Sequence, residues 1–132
     1  MSDSIKFGGI TLDCPHAGEL AAFYAEITGG EVTVPGDSWA MMTGPDGSDI
    51  CFQAAPAYAP PSWPDPASSM QMHLDFFVDD LEATGARAVA AGATRLDFQP
   101  NSDHCLVYAD PAGHPFCLSI WDGPHLDDEP DE

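Results

Sequence analysis

Residues 72–81, Met72-His73-Leu74-Asp75-Phe76-Phe77-Val78-Asp79-Asp80-Leu81, read as a buried strand that runs directly into a capped helix. Period-2 alternation over 72–78 sets His73, Asp75 and Phe77 on one face against Leu74, Phe76 and Val78 on the other. Asp79 and Glu82 have the spacing of a helix N-cap and its reciprocal acid. An alanine-rich helix over 81–91 follows, stopped by Gly92. Strands are expected at 94–98, 105–109 and 115–121.

Working back from this stretch, the first half of the chain has the same order. Residues 5–13 read as a strand ending at Cys14-Pro15. Leu20, Phe23, Tyr24 and Ile27 then recur at the spacing of one apolar helix face. Gly29-Gly30 ends that helix, supplying the left-handed residue a C-terminus often needs. Strands over 31–34 and 38–43 flank the turn Pro35-Gly36-Asp37, and Pro45-Asp46-Gly47 turns into a fourth strand over 49–55. The two halves share letters as well as order. Pro45-Asp46-Gly47-Ser48-Asp49-Ile50-Cys51-Phe52 aligns without gaps on Pro111-Ala112-Gly113-His114-Pro115-Phe116-Cys117-Leu118. The expected class is therefore α+β: two tandem βαβββ modules (about 5–55 and 71–121) forming a curved mixed sheet around a central cleft, helices outside. Residues 1–121 form one domain in this reading.

Between the modules, Pro56, Pro60, Pro61, Pro64 and Pro66 forbid regular structure over 56–70. Tyr58 and Trp63 inside this connector either staple it to the core or make it a lid over a cleft. The charge is lopsided, with Asp+Glu 22 against Lys+Arg 3 and a formal net charge of −19. Nucleic acid and anionic membrane surfaces are poor partners for such a chain. The charge and prolines of residues 122–132 predict a disordered acidic tail. The rest of the excess is a solvated surface that aids solubility, or an adaptation to a salty cytoplasm. No apolar run approaches the ~18 residues of a membrane span. The start, Met1-Ser2-Asp3-Ser4, lacks the features of a signal peptide, so the expected location is the cytoplasm, with the four cysteines as free thiols or ligands.

Several of these residues resemble a known family. Ala22-Phe23-Tyr24 with Thr28-Gly29-Gly30, His73-Leu74-Asp75, Val78-Asp79-Asp80-Leu81 and Asp110-Pro111-Ala112-Gly113-His114 are similar to the vicinal oxygen chelate superfamily, which contains glyoxalase I, bleomycin-resistance proteins and extradiol dioxygenases. The likeness covers about residues 7–121. It implies paired βαβββ modules, an open cleft and commonly a homodimer. In metal-dependent members, one position on the first strand and one on the last strand of each module supply ligands. Here those positions fall on Gly9, His73, Cys51 and Cys117, with Gln53 in place of Cys51 if the alignment shifts by two.

Alternation separates Phe116, Leu118 and Ile120 from Pro115, Cys117, Ser119 and Trp121, and Ile50, Phe52 and Ala54 from Cys51, Gln53 and Ala55. Cys51, Gln53, His73, Asp75, Cys117 and Ser119 are thus expected to converge on one cavity, with Trp39 and Met41 nearby. Three chemistries are open to such a set. His73 with Cys51 and Cys117 is a soft donor set for Zn²⁺, with Ni or Fe as other candidates, and Asp75 as the one nearby acid for proton transfer; this is a glyoxalase-type lyase or isomerase. Cys117 beside His73 is a candidate nucleophile, and Cys51 and Cys117 a candidate disulfide. Alternatively the cysteines are small apolar fillers. Trp39, Met41, Trp63, Phe77 and Trp121, with Gln53, His73, Asp75 and Ser119 as polar groups, then line a pocket that binds a small organic molecule without a complete metal site. An acidic protein favours a cationic, partly aromatic ligand. This binding reading leads. His16 falls at a helix start, His104 and His114 in turns and His125 in the tail, all expected to be exposed.

Overall fold

The computed structural model describes residues 5, 7–65 and 69–120. The first four residues, Pro66, Trp121 and the acidic stretch 122–132 with His125 lie outside the described residues. The chain divides into two compact units between Tyr58 and Ala59. Among the described residues no helix is long and apolar enough to cross a membrane.

The first unit runs β1 (Ile10–Cys14), α1 (Ala17–Thr28), β2 (Glu31–Val34), β3 (Trp39–Thr43) and β4 (Asp49–Ala54). Its sheet has the order β1-β4-β3-β2, with β1 parallel to β4 and the other pairs antiparallel. Helix α1 opens at His16, whose backbone is extended and whose side chain makes no cap bond. It closes at Gly29, where φ is 79° and the N–H donates to Ala25 O. Leu20, Phe23, Tyr24 and Ile27 are all buried, as their spacing requires. Tyr24 stacks on Phe52 at 5.8 Å, so α1 covers the sheet face that carries Phe52, Met42 and Ala40. Each large side chain fully buried there contributes roughly 1.5–3 kcal/mol.

The second unit repeats the plan: β5 (Leu74–Phe77), α2 (Leu81–Ala91), β6 (Thr94–Arg95), β7 (Cys105–Ala109) and β8 (Pro115–Ser119), in the order β5-β8-β7-β6. Again the first and last strands are parallel. The helix-covered face carries Phe76, Phe116 and Tyr108, with ring contacts of 6.1 Å for Phe76–Phe116 and 5.8 Å for Tyr108–Phe116. Gly85 is where α2 comes down on this layer: a Cβ there would run into the Tyr108 hydroxyl.

The structure shifts several boundaries. Asp80, not Asp79, is the N-cap, its carboxylate accepting from Ala83 N at 2.9 Å. Glu82 is thereby left to pair with Arg95 at 3.4 Å on the surface. The strand expected over 94–98 stops at Arg95, and the Gln99 side chain takes over its pairing. The amide donates to Leu96 O at 2.7 Å and Val107 O at 2.9 Å, and accepts from Val107 N at 2.8 Å. In the connector, Trp63 packs on Phe98 at 5.6 Å, and Pro60 fills the space a side chain at Gly113 would need. Both contacts staple the connector within the second unit.

Candidate functional site

The helix-free face of the second sheet is built around Cys117 on β8, which lies between β5 and β7. The β5 residue paired with Cys117 is Asp75. His73 precedes Asp75 by two residues, just ahead of the strand, and returns to the same face. Its Nε2 lies 3.2 Å from Asp75 Oδ1. One ligand atom each from His73, Asp75 and Cys117 fall within 4.8 Å of one another. On the other flank, Cys105 faces Ser119 and Val107 faces Cys117, which makes Cys105 the diagonal neighbour of Cys117 on this face. Cys117 and Ser119 are buried, His73 and Asp75 exposed, and Phe77 is 55% exposed on the same strand face.

Burial pushes the Cys117 thiol up to about 12, helped by the neighbouring Asp75 carboxylate and Cys105 thiol. A nucleophilic cysteine needs the opposite shift. In reduced, metal-free protein at pH 8 only about one Cys117 in ten thousand is then thiolate. Iodoacetamide at that pH is expected to leave Cys117 unlabelled in the native state and to label it on denaturation. Rapid native labelling of Cys117, read by peptide mass, would contradict this.

The first sheet offers a different set on its helix-free face. Trp39 is 41% exposed and stands opposite Gln53, which stands opposite Asp13. Gln53 Nε2 donates to Asp13 Oδ1 at 2.9 Å. Met41 and Cys51, both half-buried, face each other one step along. Ile10 pairs with Ile50 as Leu74 pairs with Phe116, so Gly9 holds the place of His73, and Thr11 that of Asp75. Gly9 has φ 140°, a conformation that L side chains rarely adopt. The backbone as well as the missing side chain therefore closes that position to a ligand.

None of the four cysteines is in a disulfide, so Cys51 and Cys117 are not bridged. His104 is exposed, as expected from its turn, whereas His114 is half-buried. Cys105 was not among the residues the sequence picked out. Its signal was the hairpin: counting outward from Ala112, the middle of the 110–114 turn, puts Cys105 across from Ser119.

Residues 9–119 match the family model of the Glyoxalase-like domain. No curated protein matches the chain. Solved structures share the fold. The fosfomycin resistance protein FosX of Mesorhizobium loti superposes with TM-score 0.65 at 13% identity, covering 96% of both chains. A possible glyoxalase from Bacillus cereus gives 0.64 at 14% identity, over 88% of this chain and 99% of that one. A mutant FosX from Listeria monocytogenes, solved with Mn(II) and 1S,2S-dihydroxypropylphosphonic acid, gives 0.64 at 16% identity over 91% of each.

Proposed function

The chain belongs to the Glyoxalase-like domain family, and from that premise we propose that it binds a small organic molecule on the helix-free face of its second sheet. The observation that carries this is the His73–Asp75 pair, 3.2 Å apart and exposed beside Phe77. Such an arrangement offers a carboxylate, an imidazole and an aromatic surface, the mixture of apolar area and few polar groups that small-molecule sites use. Taken by itself, the equivalent face of the first unit carries Trp39, Met41 and Gln53, a separate surface that we propose as a small-molecule contact in its own right.

The FosX structure from Listeria holds a phosphonate. A phosphonate is a poor ligand here. The whole chain has 3 Lys+Arg against 22 Asp+Glu, and Arg95 is paired with Glu82. The negative field disfavours a dianion and favours a neutral or cationic aromatic molecule. Titration with a quaternary-ammonium aromatic is expected to quench tryptophan fluorescence saturably, with affinity falling as salt rises. Asp75→Asn is expected to weaken binding about tenfold, the loss of one charge-assisted contact. Saturable binding of fosfomycin with no response to cationic or neutral aromatics would sink the reading.

A second reading, a metal-dependent lyase or isomerase, is favoured by one observation. His73, Asp75 and Cys117 are a nitrogen, oxygen and sulfur donor set gathered within 4.8 Å, which suits Zn²⁺. An ion held there would supply Lewis-acid polarisation of a carbonyl. Cys51, the third ligand of the sequence reading, stands on β4 of the first unit, and Asp75 takes its place in this cluster.

A further inference from the structure

We propose that the second sheet carries a self-contained four-donor Zn²⁺ site made of His73, Asp75, Cys105 and Cys117. It rests on the second, metal-holding reading of this face and deepens it, and its test needs no organic ligand, so it and the binding reading can fail separately.

Strand order and register bring the donors together. Cys117 sits on β8, the strand between β5 and β7. Asp75 is its direct partner on one side, and Cys105 its diagonal neighbour on the other. His73 lies just ahead of β5 and already meets Asp75 at 3.2 Å. Donors around a tetrahedral Zn²⁺ with bonds of about 2.0–2.3 Å are separated by roughly 3.3–3.8 Å. His73, Asp75 and Cys117 offer donor atoms within 4.8 Å of one another, and the Cys105 thiol, which lies outside that group but interacts with Cys117, would turn in as the fourth.

The sheet framework alone does not produce this set. The first sheet has the same order and pairing, yet the places of His73, Asp75 and Cys105 are held there by Gly9, Thr11 and Trp39. A role as apolar filler would account for Cys51 and Cys117, which match in the repeat. It would not account for a histidine, an acid and a second thiol converging on Cys117 alone. Nor is this the set drawn from one first-strand and one last-strand position of each module. It takes every donor from the second unit, and Asp75 and Cys105 lie at neither kind of position.

The test is titration of reduced, metal-free protein with Co²⁺ as a Zn²⁺ surrogate, following thiolate-to-cobalt charge transfer, whose intensity scales with the number of Co–S bonds. Wild type is expected to take up one ion per chain. Cys105→Ser should lose about half of that intensity. Its binding should weaken beyond the roughly 10- to 100-fold that loss of an outer-sphere partner brings. His73→Ala should weaken binding with full charge-transfer intensity at saturation. No charge-transfer band in wild type, or an undiminished band in Cys105→Ser, overturns the assignment. A wild-type measurement avoids any failure of a variant to fold: Zn²⁺ should slow alkylation of Cys105 and leave Cys51 unaffected. Equal labelling of Cys105 with and without Zn²⁺, or protection of Cys51, overturns it as well.

Discussion

Phe116→Ala is expected to lower the unfolding free energy by about 3–5 kcal/mol, a large share of the ~5–15 kcal/mol typical of a folded domain. Phe116 is fully buried on β8, edge-on to Phe76 and stacked on Tyr108. Truncation removes the ring's own transfer energy and leaves a cavity that two aromatic neighbours and α2 can collapse into only partly. Urea denaturation should show a lower midpoint with an unchanged slope. Phe77→Ala, one residue type on the opposite face and 55% exposed, is the paired control, with a change within about 0.5 kcal/mol. Similar losses for the two would mean that the helix-covered face is not the core of this unit.

Gly30→Ala comes second, with a loss of about 2–3 kcal/mol expected from forced overpacking. Gly29 and Gly30 both follow α1, but for different reasons. Gly29 is needed for its φ of 79°. Gly30 is needed because a Cβ would run into Thr43 O and crowd the Gly44 Cα, backbone atoms that cannot swing aside as a side-chain tip can. Thr43 is fixed in the ladder opposite Glu31 and Asp49, so relief requires moving β3. Gly29→Ala, where the strain is conformational, should cost only about 1 kcal/mol. Thermal melts of both variants give the order, and a milder effect at Gly30 than at Gly29 would contradict the close approach.

Much of this architecture was legible beforehand. The strand at 105–109 and the helix at 81–91 are found with the bounds that pattern and stop signals predict. The pairing of Gly9 with His73 in the internal repeat is repeated in the strand registers. Errors fell where two local signals competed. Asp79 and Asp80 both suit an N-cap, and only the backbone that leaves β5 selects Asp80. The strand after Gly92 is shorter than its pattern predicts, because a glutamine side chain imitating a strand leaves no periodic trace.

At the site, the order of residues along each strand is enough to put His73, Asp75 and Phe77 on one face and Cys117 and Ser119 on another. Alternation is a property of a single strand and needs no partner. The packed sheet adds what alternation cannot: it sets Asp75 directly beside Cys117 and brings Cys105 in from the far side. The fold also leaves Gly9, the repeat's counterpart of His73, closed to a side chain by its backbone. Those facts depend on register between strands more than thirty residues apart, on the short hairpin that sets β7 against β8, and on a φ angle. Pairing of that kind is fixed by the packing of the whole sheet against its helix, and a one-residue slip would turn the donors to the opposite face.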